Sequence, residues 1–149
     1  MTHIRVRPKA SAECAEASAG YAISRQSVLL VEEEFMVLRT LAGLFEAAGF
    51  RVQARENGVA ALAALTSSDE FALIVAGMDL PRMGGLELCR EACTDGRWVP
   101  AILLTEWGDD PDVEELSGNV VGCLHKPLDI DRLVDVAGRA LAGWGDIRV

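Results

Sequence analysis

The stretch from Leu73 to Gly85, LIVAGMDLPRMGG, decides how the rest of the chain is interpreted. Its first four residues form an apolar run of strand length, and the loop after them ends in two glycines. In α/β proteins the chemistry lies just beyond the carboxyl end of such a strand. A reactive side chain is expected at that point, but the residue there is Gly77. The function of the chain therefore depends on what surrounds this glycine.

Four further apolar runs of strand length flank this one, and segments with helical spacing separate them. The spacing predicts strands at 27–31, 50–54, 71–76, 100–104 and 120–124. It predicts helices that begin near Phe35, Asn57, Gly85, Pro111 and Leu128. Strands of this kind that alternate with amphipathic helices favour a parallel sheet covered on both faces. Right-handed crossovers then predict an α/β fold with one doubly wound, five-stranded sheet.

Composition and charge limit the function classes. The chain has 149 residues, is 50% hydrophobic and carries a formal net charge of -9, which argues against a nucleic-acid partner. No apolar run is long enough for a signal peptide or a membrane span, so a cytoplasmic location is expected. We predict a disordered tail over 1–26, one domain over 27–143 and a C-terminal tail over 144–149.

The cysteines have no CxxC spacing. Cys89 and Cys93 are four residues apart and share one face if their segment is helical. They are interpreted as buried thiols rather than metal ligands, because free cysteine packs as a small hydrophobic residue. Cys14 and Cys123 complete the set, and reduced thiols agree with a cytosolic location.

Polar residues follow four of the five predicted strands. Because the carboxyl ends of parallel strands share one edge, these residues should lie together. Each has an ordinary explanation alone: acids favour a helix N-terminus, and a single lysine is usually a solvated charge. Their joint placement indicates a site. The residues at these strand ends are Glu32 and Glu33 after the first strand, Gly77 and Asp79 after the third, Thr105 after the fourth, and His125, Lys126 and Pro127 after the fifth.

Five segments resemble a known family, the receiver domains of two-component response regulators. They are VLLVEEE from Val28, ENGVAAL from Glu56, DLPRMGGLEL from Asp79, ILLT from Ile102 and HKPLD from His125. The resemblance covers 27 to about 143. It implies two acids that bind Mg²⁺, an aspartate that accepts a phosphoryl group from a histidine kinase, and a hydroxyl and a lysine that contact the phosphate.

The resemblance assigns roles residue by residue. Glu32 and Glu33 match the acidic pair, Thr105 the switch hydroxyl, Lys126 the phosphate-contacting lysine, and Pro127 the proline of a commonly cis peptide. The family's acceptor stands four residues before the loop proline. That proline is Pro81 in this chain, so the acceptor position is Gly77. A glycine has no carboxylate and forms no acyl phosphate.

Three further positions depart from the family's pattern. Glu33 stands where an aspartate is usual, and Mg²⁺ tolerates little departure from octahedral geometry, so weak or absent Mg²⁺ binding is expected. Glu106, bulky and anionic, replaces the small residue after Thr105. Cys123 replaces the switch aromatic. The acceptor, the metal ligand, the residue that controls access to the phosphate and the switch residue thus all depart from the family's pattern. We therefore expect a stand-alone receiver that no longer depends on phosphorylation.

Such a domain is expected to act by protein–protein contact rather than as an enzyme, since no nucleophile–base pair is visible. The expected surface combines the fourth helix, the fifth strand and the last helix. A histidine kinase, another regulator or a second copy are the expected partners. Trp107 and Trp144 are either exposed anchors for a partner or core residues.

Two alternatives keep a chemical role for the site. Asp79 is a candidate substitute phosphoacceptor, although Asp-X-Pro also suits a turn. The vacated pocket, with Lys126 and Thr105, is a candidate anion site. Without an aspartate at Gly77, Lys126 lacks its usual counter-ion, and Glu33, Asp79 or an anion is a candidate to replace it.

Overall fold

The structure, a computed structural model, describes residues 3–5, 26–67, 70–94, 97–106, 111, 116, 118–141 and 146–148. The strands are β1 His3–Arg5, β2 Ser27–Val31, β3 Arg51–Arg55, β4 Phe71–Gly77, β5 Ala101–Thr105, β6 Val120–His125 and β7 Asp146–Arg148. The described helices are α1 Phe35–Ala47, α2 Gly58–Thr66, α3 Gly85–Glu91 and α4 Ile130–Leu141.

The central sheet has five parallel strands in the order β3-β2-β4-β5-β6. This order confirms the predicted doubly wound α/β fold. All seven residues of the central strand β4 are buried, because helices cover both faces of the sheet. A strand in that environment needs an apolar side chain at every position rather than at alternate ones.

The core has two layers, one on each face of the sheet, and β4 contributes to both. Leu73 and Val75 face one layer, and Ile74 and Ala76 face the other, as expected for side chains that alternate along a strand. The helices divide in the same way. The first layer includes Leu41 and Phe45 of α1 with Leu133 and Ala137 of α4, and the second includes Ala61 and Leu65 of α2 with Leu88 and Cys89 of α3.

Local chemistry begins two of the helices at the carboxyl edge of the sheet. The side chain of Asn57 accepts a hydrogen bond from the backbone N–H of Ala60 at 2.8 Å and caps α2. At the start of α3, the backbone N–H of Gly85 donates to the carbonyl of Met78 at 2.9 Å. A side chain on Gly85 would collide with the carbonyl of Gly77, so this close approach requires glycine. The loop after β4 is therefore held tightly against the end of the strand.

The predicted elements agree with the structure to within two residues at their described ends, apart from the predicted helix that begins at Pro111. That helix lies outside the described residues except for Pro111 and Leu116. Cys14, Trp107 and Trp144 also lie outside them. None of the helices in the described part of the chain combines the length and apolar composition that a membrane span requires.

The two ends of the chain form a ribbon separate from the central sheet. Strand β1 pairs with β7 in antiparallel register, with His3 opposite Arg148 and Arg5 opposite Asp146. Both strands lie beside β6. Strand β1 lies within the predicted tail over 1–26, and its pairing partner comes from the other end of the chain. The rest of that tail up to residue 25 lies outside the described residues.

Candidate functional site

A small cavity of about 40 Å³ opens at the carboxyl edge of the sheet, where β2, β4 and β6 end. Its wall contains five carboxylates and a single lysine, so the site is strongly acidic. The structure thus brings together most of the site residues predicted from the sequence. The lining residues are Glu32, Glu33, Glu34, Gly77, Met78, Asp79, Leu104, Glu106 and Lys126.

Lys126 is surrounded by carboxylates of its own chain. Its Nζ lies 2.5 Å from Oε1 of Glu32, 3.1 Å from Oε1 of Glu34 and 3.9 Å from Oε1 of Glu106. Burial by itself would lower the pKa of Lys126, but the hydrogen bonds to Glu32 and Glu34 outweigh it and raise that pKa above its ordinary value. The lysine is therefore a fixed cation whose counter-ions lie within the chain.

The prediction that Glu33 or Asp79 replaces the missing counter-ion is wrong. The structure places Glu32 and Glu34 against Lys126, whereas Glu33 and Asp79 are exposed at the rim. Sequence reasoning assigned Glu34 only to the start of a helix. Three consecutive glutamates give no local signal that distinguishes which of them turns toward the lysine.

Glu32 fills the space beside Gly77. It is only 1% exposed, and a Cβ atom built on Gly77 would lie 2.9 Å from its Oε1 and 3.4 Å from Cδ2 of Leu80. The two residues are neighbours because β2 pairs with β4 in a register that sets Val31 opposite Ala76. A side chain at position 77 would have to displace the Glu32 carboxylate.

Both oxygens of the Glu32 carboxylate are engaged. Oε1 accepts from Lys126, and Oε2 accepts from the backbone N–H of Glu34 at 2.8 Å. The side chain of Glu34 makes no cap hydrogen bond at the start of α1. Glu32 therefore serves as the buried anion that orders both Lys126 and the loop before α1.

The residues present do not fit the Mg²⁺ site that the family resemblance implies. Mg²⁺ requires several oxygen ligands in near-octahedral geometry. The oxygens of Glu32 are taken by Lys126 and by a backbone N–H, and Gly77 offers no side chain. Among the residues that the structure describes, no group of three or more His, Cys, Asp and Glu side chains is arranged to hold a metal ion.

Three remaining positions show how far the switch machinery is retained. Thr105 ends β5 and is buried, and its Oγ1 has no hydrogen-bond partner within the described part of the chain. The Lys126–Pro127 peptide is cis, as the resemblance implies. Cys123 packs against the core layer under α2 and α3. A hydroxyl and the cis peptide are thus present at the family's positions, whereas the aromatic position holds a small thiol.

The cysteines of α3 and the turn after it are thiols rather than a disulfide. Cys89 is buried and Cys93 partly buried. Burial, together with the neighbouring Cys93 and Cys123 thiols, raises the pKa of Cys89 to about 12. A thiol in that environment is not a nucleophile at neutral pH, which confirms the interpretation of Cys89 as a core residue.

The chain is similar to known signalling proteins. The family model described as "Response regulator receiver domain" matches residues 28–137. The chain is 32% identical over 115 residues to the C4-dicarboxylate transport transcriptional regulatory protein DctD of Rhizobium meliloti, which covers 76% of this chain and 25% of that protein. It is 32% identical over 108 residues to the transcriptional regulatory protein CpxR homolog of Haemophilus influenzae, which covers 72% of this chain and 46% of that protein. The chain thus spans less than half the length of either relative.

Solved structures show the same fold. The signal receiver domain of an HD domain-containing protein from Pseudomonas fluorescens Pf-5 aligns with a TM-score of 0.68 and 27% identity, over 78% of this chain and 94% of that one. The chemotaxis response regulator CheY4 of Vibrio cholerae aligns with a TM-score of 0.69 and 22% identity, over 78% of this chain and 98% of that one. The second similarity concerns the fold alone.

Proposed function

This chain belongs to the response regulator receiver domain family of two-component signalling, and from that membership we propose that it is an atypical receiver whose output does not depend on phosphorylation. One observation carries the proposal. The acceptor position is Gly77, and Oε1 of Glu32 lies 2.9 Å from the place where a Cβ atom at that position would stand. The site is thus filled and neutralised in part by the chain itself.

The chemistry of the site supports this proposal. Formation of an acyl phosphate needs an accessible carboxylate, and Gly77 has none. The carboxylate of Glu32 is buried and hydrogen-bonded at both oxygens, so it is a poor nucleophile. Glu106 stands 3.9 Å from Lys126 with its side chain half exposed, where it would repel an incoming phosphoryl donor. Acceptor and donor access are therefore both impaired.

Output by protein–protein contact is the second part of the proposal. Ile130 and Val134 lie one turn apart on α4 and remain 37% and 49% exposed. Exposed apolar side chains at helical spacing are typical of a contact surface. We assign the partner surface to β6 and α4, and the partner is a signalling protein such as a histidine kinase, another regulator or a second copy. The proposal also states that the domain does not turn over a substrate as an enzyme. It places the domain in the cytoplasm.

A specific observation favours each of two alternatives. Asp79 is exposed and lines the same cavity, which suits a substitute phosphoacceptor. The buried hydroxyl of Thr105 without a partner suits an anion that would accept its hydrogen bond. The anion is opposed by five carboxylates around Lys126, which make the cavity acidic.

Intact mass spectrometry after incubation with acetyl phosphate and Mg²⁺ tests the proposal. We expect no gain of one phosphate in the wild type. If the wild type is labelled, two variants identify the labelled residue. Asp79→Asn removes the substitute acceptor, and Asp131→Asn removes an exposed aspartate on α4 as a matched control. Stoichiometric, hydroxylamine-sensitive labelling that Asp79→Asn alone abolishes would establish phosphotransfer through Asp79 instead.

A further inference from the structure

The ion pair between Glu32 and Lys126 joins two loops that are far apart in the chain. Glu32 follows β2 and precedes α1, whereas Lys126 follows β6 and precedes α4. The contact spans 94 residues of sequence at 2.5 Å. A Cβ atom on Gly77 would lie 2.9 Å from Oε1 of Glu32, so a side chain at position 77 would crowd this contact.

We propose that Glu32 is a built-in substitute for the missing carboxylate at position 77, supplying Lys126 with its anionic partner from β2 instead of β4. The substitute needs neither phosphate nor metal. Through Lys126 it positions the loop that leads into α4, where the exposed Ile130 and Val134 lie. The start of α4 is consequently held in one arrangement at all times.

The position and the charge of Glu32 both support its role as a substitute for the missing carboxylate. Glutamate is one methylene longer than aspartate, so its carboxylate reaches from the end of β2 across to the neighbouring strand β4. The backbone N–H of Glu34 holds the second oxygen and sets the direction of the side chain. The remaining carboxylates near Lys126 belong to Glu34 and Glu106, and their side chains are 55% and 54% exposed. Of these three carboxylates, only that of Glu32 is buried beside Gly77.

A purely structural role for Glu32 is the competing explanation. In that case Glu32 would matter only because it fills space and accepts a hydrogen bond from the N–H of Glu34. Moving the negative charge from β2 to β4 separates the two explanations. A carboxylate at position 77 restores a partner for Lys126, but it does not reproduce the hydrogen bond to Glu34.

The experiment is a double-mutant cycle on folding stability with neither phosphate nor Mg²⁺ present. The variants are Glu32→Ala, Gly77→Asp and the two combined. Gly77→Asn, alone and combined with Glu32→Ala, is the matched control because it adds nearly the same volume without charge. Urea denaturation gives the folding equilibrium constant of each variant, and amide spectra of 125–131 report the loop that Lys126 positions.

Each single substitution should lower the folding equilibrium constant by about tenfold or more, the first by leaving Lys126 without its buried partner and the second by crowding Glu32. The combined Glu32→Ala and Gly77→Asp variant should regain about tenfold over Glu32→Ala alone, because residues in contact couple strongly. Amides of 125–131 should return toward their wild-type positions. The combination with Gly77→Asn should show neither effect.

Equal behaviour of the Asp and Asn combinations would overturn the proposal, since charge would then be irrelevant. If Glu32→Ala does not fold, the proposal is supported when adding Gly77→Asp restores folding and adding Gly77→Asn does not. If no combination folds, Glu32→Gln is used in place of Glu32→Ala, because it keeps the shape of the side chain and removes only its charge. Unchanged amides at 125–131 in that variant overturn the proposal, whereas shifted amides support it. The inference rests on the proposed function only in treating the site as independent of phosphate. Its cycle contains no phosphodonor, so its failure is distinguishable from a positive labelling result.

Discussion

Replacement of Lys126 by methionine is the most direct test of the site, because it removes the charge and keeps a side chain of similar length. Lys126 is the cation that Glu32, Glu34 and Glu106 approach. Without it, the three carboxylates that approach Lys126 are left with no opposite charge beside them. We expect Lys126→Met to fold less stably at neutral pH.

The size of the loss follows from the burial of each partner. Removing one partner of a buried ion pair costs about 3–5 kcal/mol. The side chain of Glu32 is 2% exposed and that of Lys126 is 16% exposed, and Glu32 keeps its hydrogen bond from Glu34. The lower end of the range, about 3 kcal/mol, is therefore expected for this pair. The half-exposed Glu34 adds about 0.2–1 kcal/mol, which solvent screening reduces further.

Urea denaturation at low salt and at about 0.5 M NaCl separates the two contributions, because salt screens exposed charges far more than buried ones. The contribution of Glu32 should persist at high salt, and that of Glu34 should largely disappear. Arg139→Met is the matched control. Arg139 pairs with Asp135 at 3.5 Å on the exposed surface of α4, and its loss should change stability by about 0.5 kcal/mol or less.

A loss of less than about 1 kcal/mol in Lys126→Met, the range of exposed pairs, would refute this reasoning. So would a larger loss that vanishes at high salt. Either result would show that Lys126 and Glu32 do not form a buried pair in solution, and the proposed role of Glu32 would lose its basis.

Three further outcomes are expected. Titration with Mg²⁺ to millimolar concentration should leave the amides of Glu33 and Asp79 unshifted, because Gly77 supplies no carboxylate and both oxygens of Glu32 are engaged by Lys126 and a backbone N–H; saturable shifts confined to Glu33 and Asp79 would contradict this. Cys89→Ala should remove a pH dependence of stability, because the pKa of this thiol is 9.0 in the unfolded chain and about 12 in the folded one. The free energy of unfolding of the wild type should therefore fall above pH 9 by up to about 1.4 kcal/mol per pH unit. Equal slopes of stability against pH in both proteins would count against the burial of this thiol. If the wild type self-associates in sedimentation, replacing Ile130 and Val134 together by aspartate should abolish that association while helical circular dichroism is retained, and unchanged self-association would exclude this face as the dimer contact.

The sequence alone predicted the fold and the location of the site. The apolar runs around Leu73 to Ala76 and the other four strands are long enough to show burial on both faces, and helical spacing separates them. The resemblance to the receiver family, through the loop proline Pro81, then placed the acceptor position at Gly77. The fold and the edge that holds the site needed only local patterns and the rule that parallel strands end at one edge, whereas the acceptor position needed the resemblance.

The sequence did not show which carboxylate meets Lys126. Glu32, Glu33 and Glu34 are adjacent and chemically identical, so composition and spacing treat them alike. The choice depends on where β2 ends and on its register with β4, which sets Val31 opposite Ala76 and turns Glu32 into the space beside Gly77. Register is a relation between strands, and no single strand contains it.

The pairing of β1 with β7 was invisible for the same reason. His3–Arg5 has no sustained pattern of its own, and its partner lies at the opposite end of the chain. Local sequence therefore determined the elements and the residues available to the site. Tertiary structure alone decided which of them touch, because a contact between distant segments depends on strand order and register rather than on either segment.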